Sequence, residues 1–178
     1  MERLQKSKKQ KSLIKTKPLI KTYKAPFMKS LEEQNKELQN YLNHHIPICQ
    51  AMEIAVEKAS STEVILAAPF AKNFNHQQTI FGGSLHAVAT LACWTMLYVN
   101  LQMIKDRSFQ IVITESHVSY KAPVGGDFKA ACSKPELEEW QRFLKTLHKK
   151  NKARIHLTAT IHYQGLLCVD YQGTFAAL

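Results

Sequence analysis

At 178 residues and 45% apolar, the chain has the size and composition of one globular domain with extra segments. Its net charge of +10 is not a property of the fold, because residues 1–30 hold ten lysines and arginines against Glu2 alone and the rest is nearly neutral. Cys49, Cys93, Cys132 and Cys168 are too widely spaced for a paired-ligand zinc motif or a disulfide framework, so no metal and no cofactor is expected.

The chain opens on residues 1–29, a run of Lys, Gln, Ser and Thr with isolated Leu-Ile pairs. Such a segment buries too little to order itself and reads as a disordered tail. It is either an electrostatic arm for nucleic acid or an anionic membrane, or a solvated extension; no aromatic residue interleaves the lysines before Tyr23. The first 30 residues contain no apolar run of signal-peptide length, and a reducing cytoplasm is the expected setting.

The domain is expected over 30–178. Ser30-Leu-Glu-Glu33 is a capping box and starts a helix whose apolar side is Leu31, Leu38, Tyr41 and Leu42. That helix should stop near His44, and Pro47 permits a short further turn through Met52. Met52–Ala59 and Glu63–Ala68 read as a hairpin around Ser60-Ser-Thr62.

Asn73–Ile104 is the organising stretch: a polar loop, then Gly82-Gly83, then the longest apolar segment of the chain. From Ser84 it reads as one helix, apolar all the way round, which must be wrapped by protein or by lipid. Its length approaches a membrane span, but His86 and Asn100 interrupt it and no second span exists. The two glycines would let a ligand approach the free N–H groups and positive dipole end of the helix, a setting that suits a carbonyl oxygen gaining negative charge.

Phe109–Tyr120 is rich in β-branched residues and reads as a strand. Strict alternation would put Val112, Thr114, Ser116, Val118 and Tyr120 on one face, and Ile111, Ile113, Glu115, His117 and Ser119 on the other. Asp127–Ser133 is a further strand. Pro135 opens an amphipathic helix carrying Leu137, Trp140, Leu144 and Leu147. Arg154–Tyr163 and Leu166–Ala177 are strands joined at Gln164-Gly165. Antiparallel strands around one apolar helix make an α+β fold.

This order resembles the hotdog fold of acyl-CoA thioesterases. Asn75 sits six residues before Phe81-Gly82-Gly83, where related enzymes carry an Asn and then His-Gly-Gly, and Tyr120-Lys-Ala-Pro123 is similar to the Tyr-x-x-Pro that closes their third strand. The resemblance is nearest to the thioesterase domain fused to some bacterial acetyltransferases. It rests on His45-Ile-Pro, Asn75-His76, Phe-Gly-Gly-Ser-Leu at 81–85, Ser116-His117, Pro123-Val and Trp140-x-Arg142-Phe143-Leu144, and covers about residues 40–178. Phe81 departs from the usual His, and Thr90 stands where the helix carboxylate of the family is usual.

The resemblance implies hydrolysis of an acyl-CoA or acyl-carrier thioester. The Gly83 and Ser84 amides would polarise the carbonyl. Glu115 is the first candidate to activate water; a rival uses Asn75 and Thr90 to orient it, with His117 or His76 as base. His76, Phe81 and Gly82 would line the substrate. It also implies a homodimer, or a dimer of dimers, paired through the third strand. Lys121, Lys149, Lys150, Lys152 and Arg154 are available for the CoA phosphates. The other functions weighed are an acyl-binding module and a hotdog hydratase or dehydratase. The last is disfavoured because no carboxylate lies between Ser84 and Ile104.

Overall fold

The computed structural model describes residues 30–104 and 107–178, so the basic tail at 1–29 lies outside the described residues. Helix α1 (Leu31–His45) starts as its capping box demands: the Glu33 amide donates to Ser30 Oγ at 3.1 Å and the Ser30 amide to Glu33 Oε2 at 2.9 Å. A single turn, α2 (Ile48–Ala51), follows Pro47, and it delays β1 to Ala55–Ala59 rather than Met52. After β2 (Glu63–Ala68) come the central α3 (Gly82–Leu101), β3 (Ile111–Tyr120), β4 (Phe128–Ser133), α4 (Leu137–Lys150), β5 (Ala153–Tyr163) and β6 (Leu166–Ala177).

The strands form one antiparallel sheet in the order β1-β2-β4-β5-β6-β3. Gln164 and Gly165, with φ of 49° and 80°, make the tight β5–β6 turn that the right-handed strand twist prefers. The sheet curls around α3, and Val88, Ala89, Ala92, Cys93, Met96 and Leu97 on successive sides of that helix are all buried. A 20-residue apolar helix is long enough to cross a membrane; here the sheet supplies the apolar surroundings. Asn100, the polar interruption near its end, is buried and donates to Ser61 O at 3.1 Å and Met96 O at 2.9 Å, which straps the helix to the β1–β2 turn.

The two sheet edges are treated differently. At β1, Asn35 and Gln39 of α1 satisfy outward backbone groups: Ala59 N donates to Asn35 Oδ1 and Val56 N to Gln39 Oε1, while Asn35 and Gln39 donate to Glu57 O and Ile54 O. A helix therefore covers that edge. At β3, no strand or helix backbone pairs with the outer side among the described residues.

The alternation expected along β3 does not survive. Ile113 pairs with Phe175, but Glu115 pairs with Thr174, so Thr114 is an extra residue in a β-bulge. The bulge resets the faces: Ile113, Ser116, Val118 and Tyr120 lie opposite Phe175, Gly173, Tyr171 and Val169, on the side that meets α3. Glu115, His117 and Ser119 lie opposite Thr174, Gln172 and Asp170, on the outer face.

Candidate active site

A cavity of about 600 Å³ runs beside α3. One stripe of the helix forms its floor: Gly83, His86, Ala87, Thr90, Leu91 and Trp94, spaced by threes and ones as a single helical face requires. The opposite walls are the first residues of β3, Phe175, and the segment from Ile46 to Ile54. Among these walls the polar groups are few: the Gly83 backbone, His86 and Thr90, with Cys49 buried in an otherwise apolar side. Burial pushes the Cys49 thiol up to about 11.

The helix begins at Gly82, two residues before the expected start, because Phe81 takes the cap position with extended backbone. The Phe81 carbonyl accepts from both Ser84 N at 2.9 Å and Leu85 N at 3.1 Å. The Ser84 amide expected to polarise a substrate is therefore already engaged. The Gly82 and Gly83 amides, first and second in the helix, have no acceptor among the described residues. They leave the positive end of the helix dipole facing the cavity at Gly83. A Cβ on Gly83 would stand 2.3 Å from Cε1 of Phe81, so the ring that replaces the usual His lies directly against the glycine. Tyr120, at the far end of β3, donates its hydroxyl to Gly82 O at 2.9 Å and so pins the helix start to the sheet. Partial burial raises its pKa.

One turn on from Gly83, His86 Nε2 lies 3.1 Å from Ser116 Oγ. Its ring also packs on Tyr171, with centroids 5.5 Å apart. Another turn on, the Thr90 hydroxyl donates to the Tyr171 hydroxyl at 3.1 Å. Tyr171 is fully buried, which raises its pKa; the bonds from Thr90 and Ser116 pull the other way. Gly173 makes this arrangement possible, since a Cβ there would come within 2.6 Å of the Tyr171 hydroxyl. His86, Ser116, Tyr171 and Thr90 thus form one polar chain between α3 and the β3–β6 pair, beside the helix N-terminus.

Of the residues singled out in the sequence, the structure brings Gly83 and Thr90 to the cavity wall, with Gly82 and Phe81 beside them. It does not bring the others there. Glu115 and His117 are exposed on the outer sheet face because of the bulge. Asn75 is spent on its own turn: its Oδ1 accepts from Gln77 N at 2.9 Å and Thr79 N at 3.3 Å, and its Nδ2 donates to Thr79 Oγ1 at 3.0 Å. His76 is exposed in the same loop and lines no wall of the cavity. His86, Ser116, Tyr120 and Tyr171 emerge only from the structure. For His86 the signal was present: three residues after Gly83 is the same face of a helix. Among the described residues, no three His, Cys, Asp or Glu side chains converge as metal ligands.

Comparison with solved structures places this fold among thioesterases. A protein of unknown function from Chlorobaculum tepidum TLS is 34% identical, over 84% of this chain and 96% of its own, with a TM-score of 0.77. A putative thioesterase from Shewanella oneidensis is 26% identical, over 83% and 98%, with a TM-score of 0.70. A thioesterase from Haemophilus influenzae, at 12% identity over 84% and 91% and a TM-score of 0.62, shares the fold alone. The strands curled around one long helix are the hotdog arrangement of these proteins. Residues 35–178 match the family described as "Putative thioesterase (yiiD_Cterm)", to which this chain belongs.

Proposed function

We propose that the protein hydrolyses the thioester of an acyl group carried by coenzyme A or by an acyl carrier protein. One observation supports this above the rest: a free backbone amide at Gly83 and the imidazole of His86 front the same apolar cavity, one helical turn apart. The acyl chain lies in the cavity and its carbonyl oxygen accepts from Gly83 N–H. As water adds to the carbonyl carbon, charge grows on that oxygen, and the amide and the helix dipole stabilise it. Losing one such donor typically costs ~3–4 kcal/mol of barrier.

His86 takes the proton of the attacking water. With Nε2–H donating to Ser116 Oγ, Nδ1 carries the lone pair that does this, and Ser116 acts as the positioning residue. The tetrahedral intermediate collapses with loss of the thiolate, which leaves with the proton that His86 holds. General-base help of this kind is worth roughly 10²–10⁴ in rate. Ser116 is not among the cavity walls, which favours water over the Ser116 hydroxyl as the attacking group.

The open β3 edge supports a homodimer. A second copy pairing β3 with β3 would extend the sheet and cover Val112 and Ile113, each 42% exposed at the rim of the cavity. Lys121, which follows Tyr120, is then a cation placed near the helix start for the phosphates of the leaving group.

The test is thiol release from a panel of acyl-CoA esters, read with a thiol dye. Release that His86→Gln lowers about a hundredfold or more supports the hydrolase. Tight acyl binding with no release would replace it by an acyl-binding module.

A further inference from the structure

Trp94 is the last residue of α3 to line the cavity. It follows Gly83 on the same helical face by about three turns, roughly 16 Å. Its indole N–H donates to Ile111 O at 3.2 Å, so the side chain reaches from α3 to the first residue of β3. Behind it stand Tyr98, with ring centroids 4.9 Å away, and Tyr41, stacked 4.7 Å from Tyr98. An indole bonded at one edge and backed by two stacked rings is a fixed barrier rather than a swinging side chain.

We propose that Trp94 is the end wall of the acyl channel, and that the acyl group is an unsubstituted aliphatic chain of medium length. This rests on the thioester reading above. Helix side chains lean toward the N-terminus, so the indole crosses the channel about two turns, roughly 11 Å, beyond Gly83. With C–C bonds of ~1.5 Å in zigzag, that span holds a chain of about eight to ten carbons. Beyond His86 and Thr90 the walls offer no charged side chain and only the buried Cys49 thiol, so a carboxylate or hydroxyl on the far part of the chain would lie unpaired. The lining thus selects by length and against polar substituents.

The experiment compares wild type, Trp94→Ala, Trp94→Phe and Ala87→Leu on straight-chain acyl-CoA esters from butyryl to palmitoyl. Thiol release is measured alongside equilibrium binding of the matching non-hydrolysable thioethers. Wild type and Trp94→Phe work best on chains of about eight to ten carbons. Trp94→Ala moves the preference toward myristoyl and palmitoyl, raising their ratio to octanoyl by about tenfold or more. Ala87→Leu, which narrows the channel one turn from its mouth, moves it toward butyryl, so the proposal stands tested even if Trp94→Ala fails to fold. A length preference that none of these substitutions moves, in release and in binding alike, overturns the end wall. Length-dependent thioether binding that follows Trp94, with no thiol release from any ester, upholds the wall and overturns the hydrolase.

Discussion

His86 Nε2 and Ser116 Oγ stand 3.1 Å apart, joining the central helix to the open edge strand one turn from Gly83. If the contact holds the imidazole in its working tautomer, Ser116→Ala should cost less than His86→Gln. We expect about tenfold lower kcat for the former and about a hundredfold or more for the latter. KM should barely move in either, because neither side chain anchors the acyl chain. A Ser116→Ala loss as large as that of His86→Gln would make Ser116 the attacking group instead.

Glu115 gives the complementary prediction. Its carboxylate is exposed on the outer face, so Glu115→Gln should leave thiol release within about twofold of wild type and stability within ~0.5 kcal/mol. Kinetics and a urea titration check both. Loss of activity in Glu115→Gln would show that the outer face contributes to a site.

Phe81 and Gly83 are coupled by their contact. Gly83→Ala alone must push the Phe81 ring away from the helix start, because the new Cβ would sit 2.3 Å from Cε1. In a Phe81→Ala background that obstacle is gone, and alanine's better helix propensity should stabilise the fold by up to ~1 kcal/mol. A double-mutant cycle in urea should therefore show a favourable coupling of about 1 kcal/mol. Additive effects would place the ring elsewhere in solution.

How far these features could be read from the sequence depended on how local their causes are. The capping box at Ser30, the β5–β6 turn at Gln164-Gly165 and the apolar girdle of α3 are each set by neighbours in the chain, and each forms as read. The faces of β3 failed because one inserted residue, Thr114, inverts everything after it, and nothing in a β-branched run marks where a bulge falls. The glycine turn was legible, yet which amide stays free was not: the Phe81 carbonyl takes Ser84 and Leu85 and leaves Gly83. His86 lay on the right helical face, but its contacts with Ser116 and Tyr171 join residues distant in sequence.

Alkaline pH should destabilise the folded chain progressively. Burial raises Cys49 from 9.0 to about 11, and burial together with the neighbouring Tyr41 raises Tyr98 from 10.0 to about 12. The folded chain holds these protons, and that of buried Cys93, which is raised well above its usual value, where the unfolded chain has lost them, so stability falls as pH rises from about 9. The urea midpoint should be flat below pH 9 and drop above it. Cys49→Ala should flatten the first part of the drop, between pH 9 and about 11, and an unchanged curve would remove Cys49 as a cause.

Polarisation of a thioester carbonyl at the Gly83 amide should leave a mark on the carbonyl itself. It is tested most directly by the infrared difference spectrum of a carbonyl-13C acyl-CoA bound to the slow His86→Gln variant. The bound carbonyl stretch should shift clearly to lower frequency than in free acyl-CoA. A bound ester whose stretch is unchanged would contradict it.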